Sequence, residues 1–112
     1  MNKTMDDNLK SFIRAYVSSL VVWAVIVFYH QNPGVRDRIS DLSRHLGRCE
    51  DDIKGAVEHL VLKGLLKREE TGSDTVYIYE PSPDLLKQVN AFVNALDIRD
   101  LRLWILSEVL DK

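Results

Sequence analysis

The chain has 112 residues, of which 29% are charged and 46% hydrophobic, and its formal net charge is −2. This length suits one domain, and the composition is that of a folded protein rather than a disordered one. The single cysteine, Cys49, excludes an intramolecular disulfide and a cysteine metal cluster, and it suits a reducing compartment. The slight acidic excess gives no general attraction to nucleic acid, so any such binding depends on local basic patches.

The first predicted element is one long helix over about residues 7–31, with Ser18 and Ser19 as the place where it bends. Its first half is amphipathic, because apolar residues recur at helical spacing at Leu9, Phe12, Ile13, Tyr16, Val17 and Leu20. Residues 20–29 are apolar on every side, which indicates burial on every side. The uncharged run is shorter than the roughly 20 residues of a membrane span. The N-terminus is polar and acidic, so we expect neither a spanning segment nor a cleaved signal.

Two short helices joined by a tight turn are predicted over about residues 40–64. Ser40 is the expected N-cap of the first, and Gly47 is expected to end it in the left-handed conformation. The second helix is predicted from near Cys49 to Lys63, with Gly64 directly after it. This order, helix, glycine turn, helix, is a helix-turn-helix pattern.

A β-hairpin is predicted over about residues 65–80, with its turn at residues 71–74. The alternation of the second strand assigns Val76 and Ile78 to the inner face. Tyr77 and Tyr79 then point outward and brace the hairpin against helices.

The remaining residues, about 84–111, are predicted to be helical, with Asp84 as the cap. The apolar period is interrupted at residues 97–100, so one helix and two helices both remain open. The predicted fold class is mainly α with a small β-hairpin, an α+β arrangement.

Three phrases of the sequence carry a resemblance to a known family. They are the segment 42–49 (LSRHLGRC), the apolar set Ile53, Val57 and Leu60, and the segment 63–68 (KGLLKR). From about Ser40 to Tyr79, roughly a third of the chain, the sequence resembles the winged helix-turn-helix of bacterial and archaeal transcriptional regulators, in the style of the MarR-like and ArsR-like groups. The resemblance implies a single winged-helix domain over residues 1–112, with long N- and C-terminal helices that dimerise. It also implies a cytoplasmic regulator that binds double-stranded DNA sequence-specifically as a homodimer.

The family makes its DNA contacts with the outer face of the second motif helix and with the hairpin wing. In this sequence that helix face carries Asp51, Gly55, Glu58 and Leu62, and acids there repel phosphates. We expect Leu62 to pack under the wing or another element. The DNA-binding hypothesis therefore rests on residues around the turn and the base of the wing: Ser43, Arg44, Arg48, Lys54, Lys67 and Arg68.

Two apolar stripes, one near each end of the chain, are more than a small domain is expected to bury alone. We therefore predict that they pair two copies of the chain. The residues assigned to dimerisation are Leu9, Phe12, Ile13, Tyr16, Leu101, Trp104 and Ile105.

The sequence shows no pattern for catalysis or for a cofactor. The three histidines are far apart, and Cys49 is interpreted as a small residue at a helix start. With neither a glycine-rich phosphate loop nor a nucleophile elbow, we expect no enzyme, no metal and no cofactor. The alternative to DNA binding is a winged-helix module that binds a protein through the acidic outer face of the second motif helix.

Overall fold

The computed structural model describes residues 7–111, so residues 1–6 and 112 of the predicted domain lie outside the described part. Within it, six helices and two strands follow in the order α1 (Asp7–Tyr16), α2 (Leu20–Gln31), α3 (Ile39–Leu46), α4 (Glu50–Leu62), β1 (Leu66–Thr71), β2 (Asp74–Tyr79), α5 (Pro83–Ala95) and α6 (Arg99–Leu110). The strands form a two-stranded antiparallel sheet. This confirms a mostly helical α+β arrangement.

The long helix predicted over residues 7–31 is wrong, because the chain breaks after Tyr16 and α2 leaves at 111° to α1. Ser19 starts the new helix, since its Oγ accepts a 3.2 Å hydrogen bond from the backbone N–H of Val22. Among the described helices none is by itself long and apolar enough to cross a membrane. The bent pair α1–α2 would qualify on combined length and composition alone.

The α3–α4 unit forms close to its predicted bounds. α3 begins one residue before Ser40, and the capping position falls on Arg38, whose backbone N–H donates to Asp41 Oδ2 at 3.1 Å. Gly47 ends α3 in the left-handed conformation with φ of 65°, and Gly64 follows α4 with φ of 83°. Both glycine predictions are confirmed, and the first one sets the turn that aims α4 away from α3.

The hairpin pairs Leu66 with Tyr79 and turns at Gly72 and Ser73. Val76 is buried as predicted, but the outward placement of Tyr77 and Tyr79 is wrong, because Tyr77 is buried in the core and Tyr79 packs against it. The reason is the register: residues on the same face as the buried Leu66 include Tyr79 and, two positions away, Tyr77. The bracing of the hairpin against helices is nevertheless what these two tyrosines do.

The C-terminal region is two helices. Ser82, not the predicted Asp84, is the N-cap of α5, and its Oγ accepts a 3.2 Å hydrogen bond from the backbone N–H of Leu85. α5 ends at Ala95, and α6 begins at Arg99.

The apolar stripe of α1 is covered by the C-terminal helices of the same chain. Leu9, Phe12 and Ile13 are buried, and the Phe12 ring lies 5.6 Å from the Phe92 ring of α5. α1 also contacts α6, where Ile105 is buried. Leu9, Phe12, Ile13 and Ile105 therefore belong to the core of one protomer, and their assignment to dimerisation is wrong. Of the other residues assigned to it, Tyr16, Leu101 and Trp104 are half-buried.

Candidate nucleic-acid interface

α4 divides into a buried side and an acidic exposed side. Ile53, Ala56, Val57 and Leu60 face the core. The opposite side carries the exposed residues Asp51, Gly55, Glu58 and Leu62. Leu62 is 84% exposed, so its predicted packing under the hairpin is wrong. The outer face thus combines carboxylates with one uncovered apolar side chain.

The turn between α3 and α4 is braced by Ser43 and Arg48. Ser43 Oγ donates to the backbone oxygen of Arg48, and the Arg48 backbone N–H donates to the Ser43 oxygen at 3.2 Å. A serine hydroxyl has one proton to donate. Ser43 therefore positions the turn, and in this structure its hydroxyl proton is engaged there rather than directed outward. The Arg48 side chain is exposed and lies outside this bracing.

Asp41 holds two arginines of the basic region. Its carboxylate accepts from Arg38 Nε at 3.1 Å and from Arg44 Nη2 at 2.7 Å. Hydrogen bonds from the Arg38 side chain and backbone, with the charges of Arg38 and Arg44, lower the pKa of Asp41 to about 2. Arg38 also lies 3.9 Å from Asp74 at the hairpin turn. The positive charge of Arg44, one of the residues predicted to contact DNA, is therefore partly neutralised.

Four of the six residues predicted to contact DNA keep an unneutralised charge. They are Arg48, Lys54, Lys67 and Arg68, all exposed. Within residues 7–111, none of these four side chains forms an ion pair with an acid. Glu69, the neighbour of Arg68 in sequence, is paired with Arg36 instead. These four cations are the part of the surface that can attract an anionic partner.

The cations do not line one depression. Arg68 lies beside the outer face of α4, in a shallow depression shared with Glu58, Val61 and Leu62. Arg48 lines a separate groove between α2 and α6. Lys54 lies on α4 and Lys67 on β1, next to Arg68 in sequence. The hairpin base and α4 thus present one candidate contact surface, and the α3–α4 turn presents another.

An apolar groove next to the α3–α4 turn did not follow from the sequence. Its volume is about 570 Å³, and its lining includes Trp23, Phe28, Leu46, Arg48, Arg102 and Leu103. The uniformly apolar sequence of α2 predicted burial on every side, yet Trp23, Ala24 and Val27 are only half-buried and Leu20 is 36% exposed. The only sequence signal was that α2 has more apolar residues than it needs to cover one buried face.

No group of three or more His, Cys, Asp or Glu side chains within residues 7–111 is placed to hold a metal ion. Comparison with known proteins adds no assignment, since no family model, no curated protein and no solved structure matches the chain.

Proposed function

We propose that the protein is a DNA-binding transcriptional regulator built on a winged helix-turn-helix. The order α3, glycine turn, α4 and β-hairpin, with Gly47 and Gly64 in the left-handed conformation, supports this fold. The observation that carries the proposal is the set of four exposed cations without an acidic partner in the described chain: Arg48, Lys54, Lys67 and Arg68.

The division of charge suggests how such a protein binds. Arg48 in the turn and Lys67 with Arg68 in the wing contact phosphates, which supplies most of the affinity. α4 enters the major groove, where Asp51 and Glu58 accept hydrogen bonds from cytosine N4. Carboxylates on the groove-facing helix lower overall affinity and exclude bases that cannot donate. The interface is therefore weak on random DNA and selective on its own site.

A regulator of this class binds as a homodimer, and the pairing surface proposed here is the outer face of α6. Leu110, near the end of that helix, is 61% exposed and lies outside the apolar groove next to the α3–α4 turn. The α1 stripe is not available, because α5 and α6 cover it. Sedimentation equilibrium of the wild type and Leu110→Asp tests this surface: a dimer that Leu110→Asp separates supports it, and a monomeric wild type contradicts it.

DNA binding is tested by anisotropy or gel shift with genomic duplex fragments at low salt. Arg48→Glu should weaken binding strongly, whereas Lys87→Gln, an exposed change on α5, should leave it unchanged. The absence of binding by the wild type, or binding that Arg48→Glu does not alter, contradicts the proposal.

The second candidate function is a winged-helix module that binds a protein. Its support is the outer face of α4, where Asp51 and Glu58 accompany Leu62, an apolar side chain 84% exposed. A basic partner with an apolar anchor fits that surface. Absence of any salt-dependent nucleic-acid binding, together with capture of a partner that Leu62→Ser abolishes, would favour this function over the first.

A further inference from the structure

The groove described above lies between three elements that are distant in sequence. α2 supplies Trp23 and Val27, the end of α3 supplies Leu46, and α6 supplies Leu103 and Leu106. Its volume of about 570 Å³ is within the roughly 300–1,000 Å³ of small-molecule sites in proteins. Exposed apolar surface of this extent usually marks a site that binds a ligand or another molecule.

Two arginines and no acid line the groove. Arg48 approaches from the α3–α4 turn and Arg102 from the first turns of α6. Arg102 is held in place, because its Nη1 donates a 2.6 Å hydrogen bond to the backbone oxygen of Leu96 at the end of α5. The guanidinium has five N–H donors, so this anchor leaves others free to bind a carboxylate. The charge of the site is therefore positive and its body is apolar.

We propose that this groove binds a small amphipathic carboxylate, a molecule with an alkyl body and one anionic head. The body lies on Trp23, Val27 and Leu106, and the head is bound by Arg102 together with Arg48. An uncharged apolar ligand would contact the apolar walls but would give neither guanidinium an anionic partner. A polyanion such as a nucleotide would place polar groups against apolar walls without hydrogen-bond partners.

A second copy of the chain fits the groove less well. In a two-fold pairing the same patch contributes from both copies. No acidic side chain is among the groove's lining residues. Each copy would therefore bring Arg48 and Arg102 into the interface, and the groove of the other copy would offer no carboxylate to pair with them. Desolvating charges without such a partner is costly.

The groove has a consequence for regulation that rests on the proposed DNA-binding function. A carboxylate bound to Arg48 occupies the guanidinium that otherwise contacts a phosphate. Ligand binding is therefore expected to lower the affinity for DNA. The test of ligand binding uses the protein and the ligand without DNA, so its result does not depend on whether the protein binds DNA.

The ligand used to test the groove is decanoate, and the control ligand is 1-decanol, which has the same chain length but no charge. Trp23 lines the groove, so its fluorescence should change on binding, and calorimetry gives an independent affinity. Arg102→Gln should raise the dissociation constant for decanoate by about tenfold or more, because the variant cannot form the charge-assisted hydrogen bond. It should leave 1-decanol binding unchanged. Arg99→Gln, an exposed change on the same helix outside the groove, is the matched control.

Trp23→Phe should keep calorimetric binding and remove most of the fluorescence change. Three results would overturn the proposal. The first is no saturable binding of decanoate at millimolar concentration. The second is an equal loss of decanoate and 1-decanol binding in Arg102→Gln. The third is a decanoate affinity that falls as protein concentration rises, which would identify a second copy as the occupant.

Discussion

The hydroxyl of Tyr29 donates a 2.8 Å hydrogen bond to the backbone oxygen of Tyr77, and so joins α2 to β2 across 48 positions of the chain. Both residues are buried. Burial, together with the nearby Asp37 carboxylate, raises the pKa of Tyr29, which keeps the phenol neutral and able to donate at ordinary pH. This bond, with the stacked rings of Tyr29 and Tyr79 at 6.3 Å, fixes the hairpin to the helical core.

Removal of that hydroxyl tests the connection. Tyr29→Phe should lower the free energy of unfolding by about 1–3 kcal/mol, because a buried carbonyl loses its partner. The control is Tyr79→Phe, since the Tyr79 hydroxyl is buried with no hydrogen-bond partner in the described chain. Removing an unpaired buried hydroxyl should be neutral or stabilising. Urea unfolding measures both, and equal destabilisation by the two variants would contradict the assignment.

Asp41 gives a pH dependence with a defined sign. Its pKa falls from 3.8 to about 2 in the folded protein, so its stabilising effect is complete above about pH 4 and is lost as the pH falls through 2. In Asp41→Asn this component should disappear, giving a flatter stability profile between pH 4 and 2. Thermal unfolding at a series of pH values measures it. Parallel profiles for the wild type and the variant would show that the Arg38 and Arg44 contacts do not form in solution.

Two glycines should respond to alanine in opposite directions. Gly47 has φ of 65°, where a side chain costs about 1–2 kcal/mol, so Gly47→Ala should destabilise. Gly55 is inside α4, and a Cβ there would meet nothing within 4 Å. Gly55→Ala should therefore stabilise by about 0.5–1 kcal/mol. Chemical denaturation compares them, and a destabilised Gly55→Ala protein would indicate a contact at α4 that the isolated chain does not form.

The carboxylates of α4 should oppose DNA binding. Glu58→Gln removes a negative charge beside Arg68, and we expect tighter binding to random-sequence duplex. Asp111→Asn, at the end of α6, removes the same charge outside the motif and should have little effect. Anisotropy at fixed salt measures both. Weaker or unchanged binding of Glu58→Gln to random-sequence duplex would contradict the expected repulsion between this carboxylate and DNA.

The sequence predicts the fold best where helical spacing and a glycine coincide. Gly47, Gly64 and Gly72 each adopt a positive φ, and each ends an element near its predicted bound. Periodicity does not predict the angle between two helices or which face of a strand is buried. The sequence places a bend at Ser18 and Ser19, but no proline or glycine there indicates the end of a helix, so the 111° turn did not follow from it. Alternation likewise separates Val76 from Tyr77 without showing which side is inner.

The candidate site was predictable only where its parts are local. Arg38, Asp41 and Arg44 are spaced i, i+3, which is contact distance on or beside a helix, so their pairing follows from spacing alone. The groove was not predictable, because Trp23, Leu46 and Arg102 come together only through tertiary packing. The same holds for the α1 stripe, since an amphipathic pattern indicates burial but does not identify the surface that covers it.

The most direct test of the proposed DNA binding is the salt dependence of the protein's affinity for duplex DNA. For the wild type, the logarithm of the association constant should fall linearly with the logarithm of salt concentration. The double variant Lys67→Gln, Arg68→Gln should reduce the slope by about 2, one for each phosphate that the hairpin no longer neutralises. The control Lys87→Gln, Arg99→Gln, with the same net charge, should keep the wild-type slope. Identical slopes for the two double variants, or no binding at low salt, would contradict phosphate binding by the hairpin.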